Sequence, residues 1–144
     1  MTMAVLPERA RAVIDAPEYA TLATSDKNGQ PLLSVVWVKT DGNDVLISTT
    51  TDRRKYRDVI RDPWVGLLVF PKEQPHVYVS IQGTATVTTE GGAELIQELS
   101  QRYSGEPYTF DGPNAVRVVI RIAPTKVIFS DPASRRASSA RRTG

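Results

Sequence analysis

The segment DVLISTTTDRRKYRDVIRDP, residues 44–63, is more informative about fold and function than any other part of the chain. Its first part is an apolar strand pattern that ends in four hydroxyl residues at 48–51. A helix pattern follows over residues 52–61 and contains five basic residues, three of them in its first turn. Hydroxyl and backbone N–H groups at a strand end, beside a helix N-terminus with cations, suit a phosphate group. The alternative is a capped helix with a solvated basic face, which the segment taken alone favours.

Strand and turn patterns precede this segment and continue into it. The predicted strands there lie at residues 19–25, 31–39 and 44–49. Asn28 and Gly29 favour a tight hairpin turn between the first two strands, and Asp41-Gly42-Asn43 favours a second turn. Asp62 and Pro63 end the helix, because a residue before proline is pushed out of helical geometry. The first half of the chain is therefore predicted to be mostly hairpins.

The second half of the chain continues the β pattern. Its predicted strands lie at residues 64–70, 76–89, 115–123 and 126–130. Gly83 interrupts the second of these and predicts a bulge or bend. Short amphipathic helices are predicted over residues 7–16 and 91–103. Several short strands that look antiparallel, with few helices, indicate a mainly β (α+β) barrel or sandwich rather than a parallel sheet.

Four motifs occur in an order that resembles one known family. They are YATLATSDKNGQPLLSVVWV at 19–38, ISTTTDRRK at 47–55, RDPWVGLLVF at 61–70 and SIQGTATV at 80–87. Together they resemble the split-barrel flavin and deazaflavin proteins related to pyridoxamine-phosphate oxidase, over about residues 5–130. The resemblance implies a six-stranded antiparallel split β-barrel, like that of FMN-binding protein, with a few short flanking helices. Residues 1–130 are then expected to be a single domain.

The resemblance also implies a binding site for the cofactor. The residues expected to hold its phosphate are Ser48, Thr49, Thr50, Arg53 and Lys55. The backbone expected along its ring system is that of Ser34, Val35, Val36 and Trp37. His76 and Tyr78 are expected to reach the pocket from the partner subunit of a homodimer. For Trp37 the alternative is core or interface packing, and for His76 it is an exposed loop position.

The family divides between binders of FMN and binders of the deazaflavin coenzyme F420. The five basic residues at 53–61 favour F420, whose phospholactyl group and polyglutamate tail need positive charge beyond one phosphate. Pyridoxamine-phosphate oxidases resemble each other in a C-terminal Trp-Arg-rich segment, whereas this chain has KVIFSD and a tail there. The implied activity is hydride transfer from reduced F420 to a small unsaturated organic substrate, with no catalytic side chain assigned. The alternatives are an FMN-dependent reductase or oxidase and a non-catalytic F420-binding or storage protein.

Composition excludes several other classes of protein. The 144 residues include no cysteine and one histidine, so a thiolate site, a disulfide and a His-rich metal site are excluded. No Rossmann or Walker motif occurs. The N-terminus lacks the apolar region of a signal peptide, and the longest apolar run, residues 64–70, is too short to cross a bilayer. A cytoplasmic protein without a metal or membrane partner is expected.

The charge of the chain is unevenly distributed. Residues 131–144 contain four arginines and one aspartate, a charge of +3, which leaves −1 of the total +2 for the rest. This tail is predicted to be disordered, and a nucleic-acid partner is not expected because the body is nearly neutral. Arg117 and Arg121 share one face of a predicted strand. They either meet an anionic cofactor tail or face solvent, and the solvent interpretation is favoured.

Overall fold

The computed structural model describes residues 3–133 of the chain. Three helices lie within these residues, namely α1 (Glu8–Ile14), α2 (Arg54–Arg61) and α3 (Gly92–Ser104). The strands are β1 (Ala20–Ser25), β2 (Pro31–Val36), β3 (Lys39–Asp41), β4 (Asp44–Thr50), β5 (Trp64–Val69), β6 (Tyr78–Thr88) and β7 (Arg117–Ser130). The mainly β prediction is confirmed.

The seven strands form one antiparallel sheet in the order β2-β1-β5-β6-β7-β4-β3. Its two outermost strands, β2 and β3, are consecutive in the chain and are joined only by Trp37 and Val38. A flat seven-stranded sheet would hold its outer strands roughly 29 Å apart. Three Cα–Cα steps span at most about 11 Å. The sheet must therefore curl until its edges nearly meet, as in a split barrel.

The count of six strands implied by the family resemblance is wrong, since the sheet has seven, and the boundaries differ from those predicted at residues 31–39. Residues 31–39 were expected to form one strand, but the structure divides this run into β2 and β3. β2 pairs with β1 while β3 pairs with β4, so one stretch of chain supplies both edges of the sheet. Trp37 and Val38 cross the gap between these edges. A periodic pattern cannot reveal that crossing, because pairing partners change while the alternation continues.

β7 is one strand of 14 residues, where two strands were expected to flank Pro124 and Thr125. Pro124 lies opposite Gly83, at the register shift between Gln82 and Gly83. A bulge tolerates proline in a sheet because the ladder is already interrupted there. The bulge predicted at Gly83 is thus confirmed, and it is the feature that lets β7 continue.

Helix α2 begins at Arg54, two residues later than predicted. The two residues before it form a tight turn, in which the Arg53 N–H donates to the carbonyl of Thr50 at 3.1 Å. The Asp52 side chain accepts a hydrogen bond from the Thr50 hydroxyl and makes no cap hydrogen bond to α2. The hydroxyl-rich end of β4 therefore turns sharply before the helix starts.

The core fills the interior of the curled sheet with aliphatic side chains. Leu22, Ile47, Ile81, Ile120 and Ile122 are at most 1% exposed. α1 packs Ala10 and Ile14 into this core, and α2 contributes Val59. A second, smaller cluster joins Leu95 and Leu99 of α3 to Leu46 and Val119. α3 is thereby held beside β4 and β7, next to the split.

Two features lie close to the ends of the described chain. Asp131, one residue past the predicted boundary at residue 130, is 9% exposed and forms an ion pair with Arg9 of α1. The rest of the predicted tail, residues 134–144, lies outside the described residues. Within residues 3–133, every helix is too short or too polar to cross a membrane.

Candidate functional site

A cavity of about 260 Å³ opens at the split between the two edges of the sheet. It is lined by Tyr19, Val35, Val36, Trp37, Ser48, Thr49, Arg53, Lys55, Ile96, Leu99, Tyr108 and Arg117. β2 supplies part of the wall, and within the described sheet β2 pairs only with β1. An edge strand leaves part of its backbone N–H and C=O groups free to bind a ligand. The split therefore combines a concave surface with unpaired backbone polar groups.

One side of the cavity is cationic. Ser48 and Thr49 come from the end of β4, while Arg53 and Lys55 follow in the turn and the first turn of α2. Within residues 3–133, neither Arg53 nor Lys55 forms an ion pair with a carboxylate. Burial lowers the pKa of the Lys55 ammonium group, and repulsion from Arg53 and Arg117 lowers it further. Two cations without an ion-paired carboxylate are suited to binding an anion.

Arg117, at the start of β7, completes the cationic side. Its side chain is 10% exposed, and its guanidinium donates two hydrogen bonds of 2.9 Å to the carboxylate of Asp111. The same guanidinium lies 4.8 Å from the centre of the Tyr108 ring. Hydrogen bonds from Arg117 lower the pKa of the Asp111 carboxyl group, which therefore stays ionised at neutral pH.

Another part of the cavity wall is aromatic. Trp37 stacks on Tyr103 with the ring centres 5.3 Å apart and the planes 15° from parallel. The Tyr103 hydroxyl accepts a hydrogen bond from the Val38 N–H at 3.0 Å and donates one to the Glu18 carbonyl at 2.8 Å. Burial raises the pKa of the Tyr103 phenol. Tyr103 thus holds the Trp37–Val38 crossing in place from outside the cavity. The Trp37 ring supplies a flat part of the cavity wall.

The family model of pyridoxamine 5'-phosphate oxidase matches residues 6–131 of the chain. The chain belongs to the pyridoxamine 5'-phosphate oxidase family. No curated protein matches it in sequence.

Several solved structures have a similar fold. A protein described as an F420 reductase is 28% identical with a TM-score of 0.76, and the match covers 85% of this chain and 98% of that one. The conserved hypothetical protein Rv2991 from Mycobacterium tuberculosis is 24% identical with a TM-score of 0.70, covering 90% and 86%. General Stress Protein 26 from Bacillus anthracis is 17% identical with a TM-score of 0.68, covering 86% and 92%. The last two show the fold alone.

Most of the residues that the sequence assigned to the site lie together. The cavity wall includes Val35, Val36, Trp37, Ser48, Thr49, Arg53 and Lys55. Ser34 lines an adjoining groove that shares Arg53 and Lys55 with the cavity. The Thr50 side chain is buried and its hydroxyl donates to Asp52, so it does not line the described cavity. The role of these residues in binding a cofactor stays a prediction.

His76 and Tyr78 lie away from this cavity in the described protomer. His76 is exposed beside Arg9 and Asp131, at a different concave surface. Tyr78 begins β6, where it pairs with Ser130 of β7. Neither residue can serve the cavity of its own subunit from these positions. Their assignment to a cofactor pocket therefore depends on a second subunit and stays a prediction.

Sequence reasoning missed several residues of the cavity wall. The solvent interpretation is wrong for Arg117, whose side chain is nearly buried in the wall, whereas Arg121 is partly exposed and pairs with Asp41 and Asp44. Tyr108 of the wall was not singled out, and neither was Asp111, which pairs with Arg117 outside the wall. Their signal was weak, because an aromatic residue and an aspartate in a turn-rich segment are ordinary surface residues. Within residues 3–133, no cluster of three or more acidic or histidine residues is arranged to hold a metal ion.

Proposed function

We propose that this member of the pyridoxamine 5'-phosphate oxidase family is an oxidoreductase that uses coenzyme F420. In the proposed reaction, reduced F420 transfers a hydride to a small unsaturated organic substrate. The observation that carries the proposal is a cavity whose wall combines three cations, Arg53, Lys55 and Arg117, with two aromatic rings, Trp37 and Tyr108, the second of which lies against Arg117. A ligand with an anionic group and a flat ring system matches both kinds of residue.

The residues of the cavity fit a phosphate-bearing cofactor in chemical type. Arg53 and Lys55 have no carboxylate partner within the described chain, so a phosphate group would supply the missing negative charge. The hydroxyl groups of Ser48 and Thr49 are next to these cations and can donate to phosphate oxygens. The edge of β2 along Val35 and Val36 offers backbone groups to the polar edge of a ring. We propose that these two regions hold the two ends of the cofactor.

The charge outside the cavity favours F420 over FMN. Arg53 and Lys55 also line an adjoining groove with Arg54 and Arg57, and the last two extend into a third groove with Lys27 and Arg61. These two grooves contain six cations and three carboxylates, Asp26, Asp52 and Asp58, so net positive charge extends outward from the cavity beside α2. FMN has one phosphate, so most of these cations would have no anionic partner in bound FMN. The polyglutamate tail of F420 presents repeated carboxylates. The 28% identity to a protein described as an F420 reductase supports the same choice.

In this proposal the protein binds and orients, and the cofactor supplies the hydride chemistry. Trp37 would offer a flat surface to the ring, with Tyr108 at 85° to it, while Arg53 and Lys55 would neutralise the phosphate. The apolar residues Ile96 and Leu99 would exclude water from that part of the cavity. We assign no side chain of the described cavity as an acid or base.

We also propose that the protein acts as a homodimer. The outer face of the sheet carries one row of residues across five strands, formed by Val35, Thr21, Leu68, Ser80 and Ile128. Val35 is 68% exposed, Leu68 37% and Ile128 46%, so this row is an apolar strip with small residues between. Val35 also lines the cavity, and the strip is therefore continuous with the site. A second subunit on this face would cover the strip and bring its own residues, with His76 and Tyr78 as candidates, toward the cavity.

Titration of the purified protein with F420 and with FMN tests the choice of cofactor. We expect binding of F420 and no comparable binding of FMN, followed by oxidation of reduced F420 when an enone or quinone acceptor is added. Tight FMN binding with no response to F420 would favour the FMN-dependent alternative. F420 binding without turnover on any acceptor would favour a binding or storage protein.

A double variant tests the phosphate end. Arg53→Ala with Lys55→Ala should weaken F420 binding by about 2–5 kcal/mol, because two charge-assisted contacts are lost. The control is Arg11→Ala with Lys72→Ala, which removes the same two charges from exposed positions. Unchanged affinity in the first variant would contradict the assignment of this end of the cavity to phosphate.

A further inference from the structure

Arg117 is the cation of the cavity wall whose position depends on another side chain. Residues 105–116, the segment between α3 and β7, are all exposed except Tyr108, so the segment has no core of its own. Its side-chain attachments are few. The Gln97 side chain exchanges hydrogen bonds of 2.9 and 3.0 Å with the backbone of Tyr108, and the Ser100 hydroxyl donates to the Glu106 carbonyl at 2.6 Å. The charged attachment is the Asp111–Arg117 pair.

The geometry of that pair divides the guanidinium into two parts. Asp111 accepts hydrogen bonds from Nε and Nη2 of Arg117, both at 2.9 Å. The remaining nitrogen, Nη1, points to the cavity and lies 3.5 Å from the hydroxyl oxygen of Ser48. Ser48 is one of the hydroxyl residues at the proposed phosphate end. Asp111 therefore occupies the side of Arg117 that faces the loop and leaves the side that faces the cavity available.

We propose that Asp111 is a positioning residue for ligand binding: it holds Arg117 so that Nη1 faces an anionic group bound beside Ser48. Asp111 acts through Arg117 and does not line the cavity within the described chain. Because the ligand is the phosphate-bearing cofactor of the proposed function, this inference rests on that proposal. It adds a residue from the loop to the set that determines anion affinity.

The proposal predicts an effect opposite in sign to simple electrostatics. Asp111 is a negative charge close to a cationic site, so removing it should strengthen anion binding if charge alone mattered. Removing it should weaken anion binding if its function is to orient Arg117, because an unrestrained guanidinium loses conformational freedom on binding. The side chain of Arg117 is nearly buried, and without the Asp111 carboxylate its Nε and Nη2 atoms would have no fixed hydrogen-bond partner. The sign of the change therefore separates the two roles.

The test compares Asp111→Asn, Arg117→Ala and the double variant in titrations with F420, FMN and inorganic phosphate. Asp111→Asn keeps the shape of the side chain and removes its charge, and it should weaken binding of F420 about tenfold. In the Arg117→Ala background the same change should have no further effect, because Asp111 then has nothing to position. Asp111→Glu, which keeps the carboxylate, should recover part of the affinity.

The matched control is Glu106→Gln, which removes one negative charge from the same loop. Within residues 3–133 the Glu106 carboxylate forms no ion pair, so this variant should bind anions as well as the wild type or slightly better. Equal or tighter binding by Asp111→Asn, or an undiminished effect of that change in the Arg117→Ala background, would overturn the inference. Wild-type binding of phosphate without either cofactor would refute the proposed function alone, and absence of all binding would count against both.

Discussion

At the scale of single residues, the environment of Lys55 is unfavourable for the stability of the folded protein, and that environment points to a function. It is partly buried beside two guanidinium groups, and within the described chain it has no carboxylate partner. Burial followed by repulsion from Arg53 and Arg117 lowers its pKa below the ordinary 10.5. The charged form is thus less favourable in the folded protein than in the unfolded chain. An arrangement that opposes folding is expected where a ligand supplies the missing charge.

We therefore expect Lys55→Met to stabilise the ligand-free protein while weakening F420 binding about tenfold or more. The stabilisation should be full below the lowered pKa and should vanish as the pH rises through it toward 10.5, where the unfolded Lys55 also loses its proton. Thermal unfolding with and without ligand measures both effects. Lys72→Met, at an exposed position, should change neither. A lower melting temperature for ligand-free Lys55→Met would contradict this account.

At the scale of elements, α2 is held to the sheet by a buried polar contact. The Thr24 hydroxyl of β1 donates to the Asp58 carboxylate of α2 at 2.7 Å, and the two residues are 1% and 5% exposed. Arg61 donates to the other carboxylate oxygen at 2.9 Å. Since α2 carries Lys55 at its start, this contact determines where the basic residues lie relative to the cavity.

Thr24→Val should destabilise the protein by about 1–3 kcal/mol, because it leaves a buried carboxylate oxygen without a donor. Valine has nearly the same shape as threonine, so no cavity is created. Denaturant unfolding measures the difference. The control is Thr86→Val on the exposed side of β6, which should remain within about 0.5 kcal/mol of the wild type. Equal stability of the two variants would show that the contact contributes nothing.

The pairing of β6 with β7 depends on a close backbone approach at the bulge. A Cβ atom at Gly83 would lie 2.6 Å from the carbonyl oxygen of Ala123 and 2.8 Å from Cγ2 of Ile122. Gly83→Ala should therefore destabilise the protein by about 1–3 kcal/mol, as overpacking does. Gly112, with open space around it, is the matched site for a tolerated alanine. Denaturant midpoints of the two variants test this, and a stable Gly83→Ala protein would be inconsistent with the tight bulge.

Local patterns predicted most of these elements but not where their ends meet. The Asp62–Pro63 helix stop and the Asn28–Gly29 turn act through neighbouring residues, so each could be recognised in the sequence. The start of α2 could not be, because the Thr50–Asp52 hydrogen bond converts the expected first turn into a separate tight turn. The break at Trp37 and Val38 also escaped prediction, since it depends on which strands pair on either side.

At the scale of the whole molecule, the apolar strip across five strands is the basis for expecting a homodimer. We expect Leu68→Arg to convert the proposed dimer to a monomer and to weaken F420 binding, because charge at the centre of an apolar interface is costly. Sedimentation equilibrium measures the first effect and titration the second. Ile60→Arg, at a position 60% exposed on α2, is the control and should leave the assembly unchanged. A monomeric wild type would refute the dimer.

The sequence by itself determined the class of the fold, the four ordered motifs and the cationic, hydroxyl-rich composition of the turn after β4. These depend on residues close together in the chain, such as Ser48, Thr49 and Lys55, whose spacing is visible in one line of sequence. Only the tertiary structure decided that Arg117 faces Ser48, because 69 residues separate them and the β4–β7 pairing brings them together. The same holds for Tyr103 behind Trp37 and for Asp111 behind Arg117. Contacts between distant segments are set by strand pairing and by the curl of the sheet, and no local pattern encodes them.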